Sequence, residues 1–264
     1  FDILLALEPD NHEYLMGAAA VHNNLSELDA PPEEKVRELE LALSLMPDSD
    51  HKDHLRQRGA TLNNLVVALR EAGDSEAAEH RQQEALAIRE RLHADFPDEL
   101  QFTVDLAVSL SSQGHSHIQA GRLQPASEDF SRADELLADV ESELDREGRF
   151  IFAQVRSNLA TCREASGELH EALAGYVSAA AMMEELCHEF PRYPGYQLVA
   201  IQLEMYQADV LERQENLSAA VDHLSVARDR AAQMVEAGYP QAAVFHRQCV
   251  SRLSLLEPEI SPET

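Results

Sequence analysis

The sequence predicts an all-α chain of tandem helical hairpins, and three observations carry that reading. A short frame recurs. Gly167, Ala172, Tyr176 and Ala179 are matched by Gly121, Ala126, Phe130 and Ala133, then by Gly73, Ala78, Gln82 and Ala85. Ala220, Leu224 and Ala227 repeat it without the glycine, and the copies lie 46 to 48 residues apart. Such a period marks a stack of helix pairs, each too small to bury its apolar face alone. The second observation is composition: apolar residues reach 44 % while aromatics are 5 % and Trp is absent, so Ala and Leu must fill the core. Third, Gly and Pro fall between periodic stretches, and no stretch sustains the alternation of a strand.

Taken in order, Phe1 to Leu7 is expected to be the end of a second helix, stopped by Pro9. Asp10 or Asn11 can cap a helix over 11–27, whose partner over 33–46 carries Val36, Leu39, Leu43 and Met46 on one stripe. The second hairpin pairs 50–72 with 75–95 around Gly73. Leu86, Ile88 and Leu92 extend its seam until Pro97. The third pairs 99–120 with 123–145, turning at Gly121, and the fourth pairs 149–166 with 168–189, turning at Gly167. The Phe190-Pro191 pair that ends the fourth repeats Phe96-Pro97 after 94 residues. A fifth pairs 195–214 with 217–237 around Glu215-Asn216. A helix over 240–256 is expected to cover the open end, and 258–264 to be a disordered tail. The hairpins therefore span 11–47, 50–96, 99–145, 149–190 and 195–237 of one repeat domain, 1–257.

The frame residues have a structural task. Ala78, Ala126, Ala172 and Ala220 fall where two helices cross, and a small side chain permits close approach. Phe130 and Tyr176 fill the gap one turn later, while Gly121 and Gly167 turn the chain.

These residues resemble the tetratricopeptide repeat (TPR) in a version longer than its usual length of about 34 residues. The resemblance covers the repeat region and implies a right-handed α-α superhelical solenoid of about five hairpins with a C-terminal capping helix. It also implies a concave groove lined by the first helix of each hairpin. The family frame puts Asn63, Asn64, Val67 and Arg70 there from the second hairpin, and Ser111 and His115 from the third. Ser157, Thr161 and Glu164 follow from the fourth, and Met205, Asp209 and Glu212 from the fifth. Some TPR proteins grip a C-terminal carboxylate with Lys, Arg and Asn; here only Asn63, Asn64 and Arg70 match that set. The phrase EALAIRERL…FPDE is similar to TPR arrays attached to bacterial Ser/Thr protein kinases, although no kinase motif is present in these residues.

The formal charge of −27 excludes a surface built for phosphate backbones or anionic lipid. Residues 1–48 hold eleven acids against Lys35 and Arg37, a net of −9. No apolar run reaches the roughly 18 residues of a membrane span. Cys162, Cys187 and Cys249 are far apart and form no CxxC pair, which points to a reducing, cytoplasmic setting. The opening FDILLALEPDN reads as the end of a repeat that begins upstream, so the chain is expected to be a fragment.

Catalytic features are thin. His51 and His54, beside Asp50 and Asp53, could put two metal ligands on one helix face, but no third ligand follows at matching spacing. No GxSxG elbow, triad or glycine-rich phosphate loop occurs. The expected function is a non-catalytic protein-interaction scaffold without metal or cofactor. It would bind a neutral-to-basic peptide or helical segment of a partner in the groove. The alternative is a regulatory or spacer segment of a larger signalling enzyme such as a bacterial Ser/Thr kinase.

Overall fold

The computed structural model describes residues 2–26 and 28–260. Phe1, Glu27 and 261–264, where the ends of the predicted first helices and most of the predicted tail fall, lie outside the described residues. The chain divides into two compact units, Phe1–Ser116 and His117–Thr264.

The first unit holds α1 (Asp2–Leu7), α2 (His12–Leu25), α3 (Pro32–Leu45), α4 (Lys52–Glu71), α5 (Ser75–Asp95) and most of α6 (Leu100–Gln119). Asn11 caps α2 by accepting from the backbone N–H of Glu13 and Tyr14, and Pro32 opens α3 at its first position. α2 packs on α3, α3 on α4 and α4 on α5. Leu39, Ala42, Leu62, Leu65, Val66 and Ala85 are fully buried or nearly so between them.

The second unit contains α7 (Leu123–Asp139), α8 (Arg146–Ala165), α9 (Leu169–Glu189), α10 (Pro194–Arg213), α11 (Leu217–Glu236) and α12 (Ala243–Ile260). Single 3₁₀ turns at Glu141–Glu143 and Pro240–Ala242 precede α8 and α12. Each of these α-helices packs on the next in sequence, from α7 on α8 to α11 on α12. The expected helix over 123–145 ends at Asp139. The reason lies in Asp145, whose side chain accepts from the Gly148 N–H and starts α8 at Arg146. The final helix runs four residues beyond its expected end, to Ile260.

One turn geometry joins the pairs. Gly73, Gly121, Gly167 and Gly238 adopt positive φ, and an N–H one residue on reaches back to a carbonyl five residues earlier, as in Asp74 to Leu69 and Glu168 to Arg163. Glu215 takes the same left-handed conformation at φ 61°, where the sequence has no glycine. The frame residues lie inside. Ala126, Phe130, Ala172, Tyr176, Ala220 and Leu224 are buried, as is Gln82, which takes the aromatic's place in α5.

All three cysteines are free and buried. Burial pushes the Cys187 thiol up to about 11, with the Glu184 charge adding to it, and raises Cys162 and Cys249 as well. Only the thiolate attacks a disulfide reagent, so at pH 8 the folded protein should react at least about tenfold more slowly than the denatured chain. The measurement is thiol release with and without denaturant; equal rates would contradict the burial.

A candidate protein-binding face

In the first unit the expected groove residues join neighbouring helices. From α4, Asn64 Nδ2 donates to Asn23 Oδ1 on α2 at 3.1 Å, and Asn63 Nδ2 reaches Ser109 Oγ on α6 at 3.5 Å. Arg70 Nη2 donates to Ser116 Oγ and, at 3.4 Å, to Gln82 Oε1. Burial lowers the Arg70 guanidinium below its ordinary value. Gln82 in turn donates to the Ser109 carbonyl at 3.3 Å and accepts from Ser112 at 3.4 Å. α2, α4 and α6 thus stand side by side, laced by amides and hydroxyls. Val67 on α4 remains outside this lacing and is 52 % exposed, and Val21 on α2 and Val108 on α6 are exposed as well. His115 is exposed, and its Nδ1 must carry the proton because it faces the Ser111 carbonyl at 2.8 Å.

In the second unit the predicted residues form a polar network. The Tyr176 phenol of α9 donates to the Glu164 carboxylate of α8 at 3.1 Å and shares a hydrogen bond with the Thr161 hydroxyl at 2.9 Å. Thr161 also lies 3.0 Å from the Ser157 carbonyl. Burial, reinforced by the Glu164 charge, raises the Tyr176 phenol far above its ordinary value. Arg213 on α10 donates to both the Glu164 carboxylate and its carbonyl at 3.0 Å. Asp209 is paired at 2.5 Å with Arg252 of α12, which also meets Glu212. Burial pushes the Asp209 carboxyl up, with Arg252 opposing and Glu164 and Glu212 adding. Met205 is half-buried against the core. Glu164, Asp209 and Glu212 are therefore matched by Arg213 and Arg252.

His51 and His54 do not assemble a metal centre. Their rings are 5.3 Å apart, His51 lies 3.7 Å from Asp53, and no group of three His, Cys, Asp or Glu side chains among the described residues could hold an ion. No helix of the described residues is long and apolar enough to cross a membrane.

Sequence reasoning missed one polar feature of the first unit. Arg89 of α5 is 4 % exposed and donates to Asp105 of α6 at 2.5 Å, beneath Gly59 of α4. The signal was there. Positions 78, 82, 85, 89 and 92 form the buried stripe of α5, and a charge on such a stripe demands a partner.

Paired antiparallel helices, turned by the same left-handed residue and laced first helix to first helix, define a helical-repeat protein of the class that builds protein-binding surfaces. Residues 58–98 match the tetratricopeptide repeat family, and the chain has the fold of the TPR proteins. It is similar to kinesin-light-chain TPR-like repeats of Podosopora anserina at 17 % identity, covering 85 % of this chain and 98 % of that one, with a TM-score of 0.57. PilF of Pseudomonas aeruginosa aligns over 95 % of both chains at 15 % identity and a TM-score of 0.58. A Rap protein complexed with competence and sporulation factor aligns at 19 % identity and a TM-score of 0.50, over 96 % of this chain and 65 % of that one. No curated protein matches the chain.

Proposed function

We propose that this chain is a non-catalytic protein-interaction module that binds a neutral-to-basic peptide or helical segment of a partner on the α2–α4–α6 face. The observation that carries the reading is the exposure of Val21, Val67 and Val108 on three helices held side by side. Exposed apolar side chains on laced, rigid helices suit the apolar face of a bound segment. The charge preference rests on the acidity of residues 1–48, which carry a net of −9 and include α2. The Rap protein solved with its competence and sporulation factor is a precedent for factor binding by a similar fold.

The test uses a randomised peptide library selected on the whole chain. Val67→Asp and Val108→Asp change exposed side chains, so the melting midpoint should hold. Selected peptides should lose roughly tenfold or more in affinity for each variant, equivalent to about 1.4 kcal/mol. Peptides that bind both variants as they bind the parent would remove this face as the docking site.

A further inference from the structure

The 94-residue recurrence relates two end clusters, one in each unit, and only one of them is electrostatically complete. In the first unit Lys52 lies over the Phe96 ring at 5.5 Å and is paired with Glu99 at 2.5 Å. Phe102 packs on Phe96 with ring centroids 5.8 Å apart. Adding 94 turns Lys52 into Arg146, Phe96-Pro97 into Phe190-Pro191 and Phe102 into Tyr196. The geometry recurs: Arg146 lies over Phe190 at 5.3 Å, and Tyr196 packs on Phe190 at 6.3 Å. The carboxylates do not recur. Asp98 becomes Arg192 and Glu99 becomes Tyr193.

The consequence is an open depression of about 430 Å³, lined by Arg146, Glu189, Phe190, Pro191, Arg192 and Tyr193. Arg146 also lies 5.7 Å from the Tyr193 ring, which is 48 % exposed. The two rings hold the guanidinium by cation–π attraction, and its N–H groups suit a planar oxyanion. Neither Arg146 nor Arg192 makes an ion pair among the described residues, in a chain with 48 acids and 21 bases. The acid of the depression, Glu189, is engaged by Arg149, and Asp145 caps α8. Glu147 follows Arg146 in sequence. Among the residues that line the depression, two arginines therefore stand beside one acid, and that acid is already engaged by Arg149.

We infer that this depression binds an acidic peptide segment of a partner, with a Glu or Asp side chain taking the place that Glu99 fills in the first unit. The guanidinium of Arg146 supplies the fork, Arg192 a second cation, and the Tyr193 hydroxyl a donor at the rim. The site is separate from the α2–α4–α6 face, so either can fail alone.

The experiment measures fluorescence anisotropy of a labelled hexaglutamate peptide and its hexaglutamine counterpart on the whole chain at physiological salt. There the Debye length is about 8 Å, so the overall negative charge is screened and local cations decide. Hexaglutamate should saturate and hexaglutamine should not. Tyr193→Glu restores the internal partner seen at Glu99 and should raise the hexaglutamate Kd about tenfold or more without altering the helical circular dichroism. Arg146→Gln should do the same. Absence of saturation, or hexaglutamate binding to Tyr193→Glu as to the parent, overturns the proposal. Displacement by inorganic phosphate at peptide-equivalent concentration overturns it in favour of a small-anion site.

Discussion

Asp105→Ala should lower the unfolding free energy by about 3–5 kcal/mol, because it strands a buried cation. Arg89 is almost wholly enclosed, and its guanidinium is held below its ordinary value chiefly by burial, with Asp105 opposing that trend and Arg56 adding to it. Asp105 accepts from Arg89 at 2.5 Å and from Arg56 at 3.4 Å, while its other oxygen accepts from Gln101 at 2.8 Å. Removing the carboxylate leaves two guanidiniums facing each other without an anion. The backbone offers little room for escape: a Cβ on Gly59 would stand 3.1 Å from Arg89 Nε, so α4 closes over the side chain. Arg89→Met in the same background removes the stranded charge and fills its volume with apolar atoms, and should recover most of the loss. Urea titration of the parent, the single and the double variant measures this. A single variant within about 1 kcal/mol of the parent, inside the range of an exposed pair, would show that the ion pair contributes little.

How much of this was legible depends on the kind of information each residue carries. The frame alanines announce their burial, because helix crossings repeat with the period of the sequence, and Ala126, Ala172 and Ala220 are each fully enclosed. The turns were legible where glycine marks them. At Glu215 the same conformation had to be read from register alone. The first-helix positions Asn63, Asn64 and Arg70 were legible as a shared face but not as a lacing. Their partners, Ser109, Asn23 and Ser116, sit 41 or 46 residues away, and register between non-consecutive helices is set by packing. Gln82 illustrates the difference. Its frame position calls for an apolar side chain, and only the placement of Arg70, Ser109 and Ser112 explains an amide that is 3 % exposed. The end cluster around Arg146 was half legible. The Phe-Pro recurrence is in the sequence, but the pairing of Lys52 with Glu99, which shows what Tyr193 replaces, is a fact of structure.

Tyr176→Ala is the second large effect, expected to cost about 3–5 kcal/mol in the second unit, the range for deleting a buried aromatic. The size of such a loss depends on whether the surroundings can collapse into the space. Here they are already in contact. A Cβ added to Gly175 would stand 2.9 Å from the Ala160 Cβ, so α8 and α9 have no slack to close further. Tyr206, packed at a tilt on Tyr176 with 5.3 Å between centroids, loses its partner ring. Tyr176→Phe separates the two contributions. It keeps the ring and removes the hydroxyl that meets Thr161 and Glu164, for about 1–2 kcal/mol, since Arg213 still pairs with Glu164. Denaturant titration of both variants should therefore give clearly unequal losses. Equal losses would place the whole effect in the hydroxyl, and a Tyr176→Ala loss under about 2 kcal/mol would mean that the helix pair does relax. The unequal outcome also ties stability to the candidate surface. The residue that fills the α8–α9 crossing is the one whose phenol fixes Thr161 and Glu164 on the first-helix side, so the core sets the arrangement of polar groups a partner would meet.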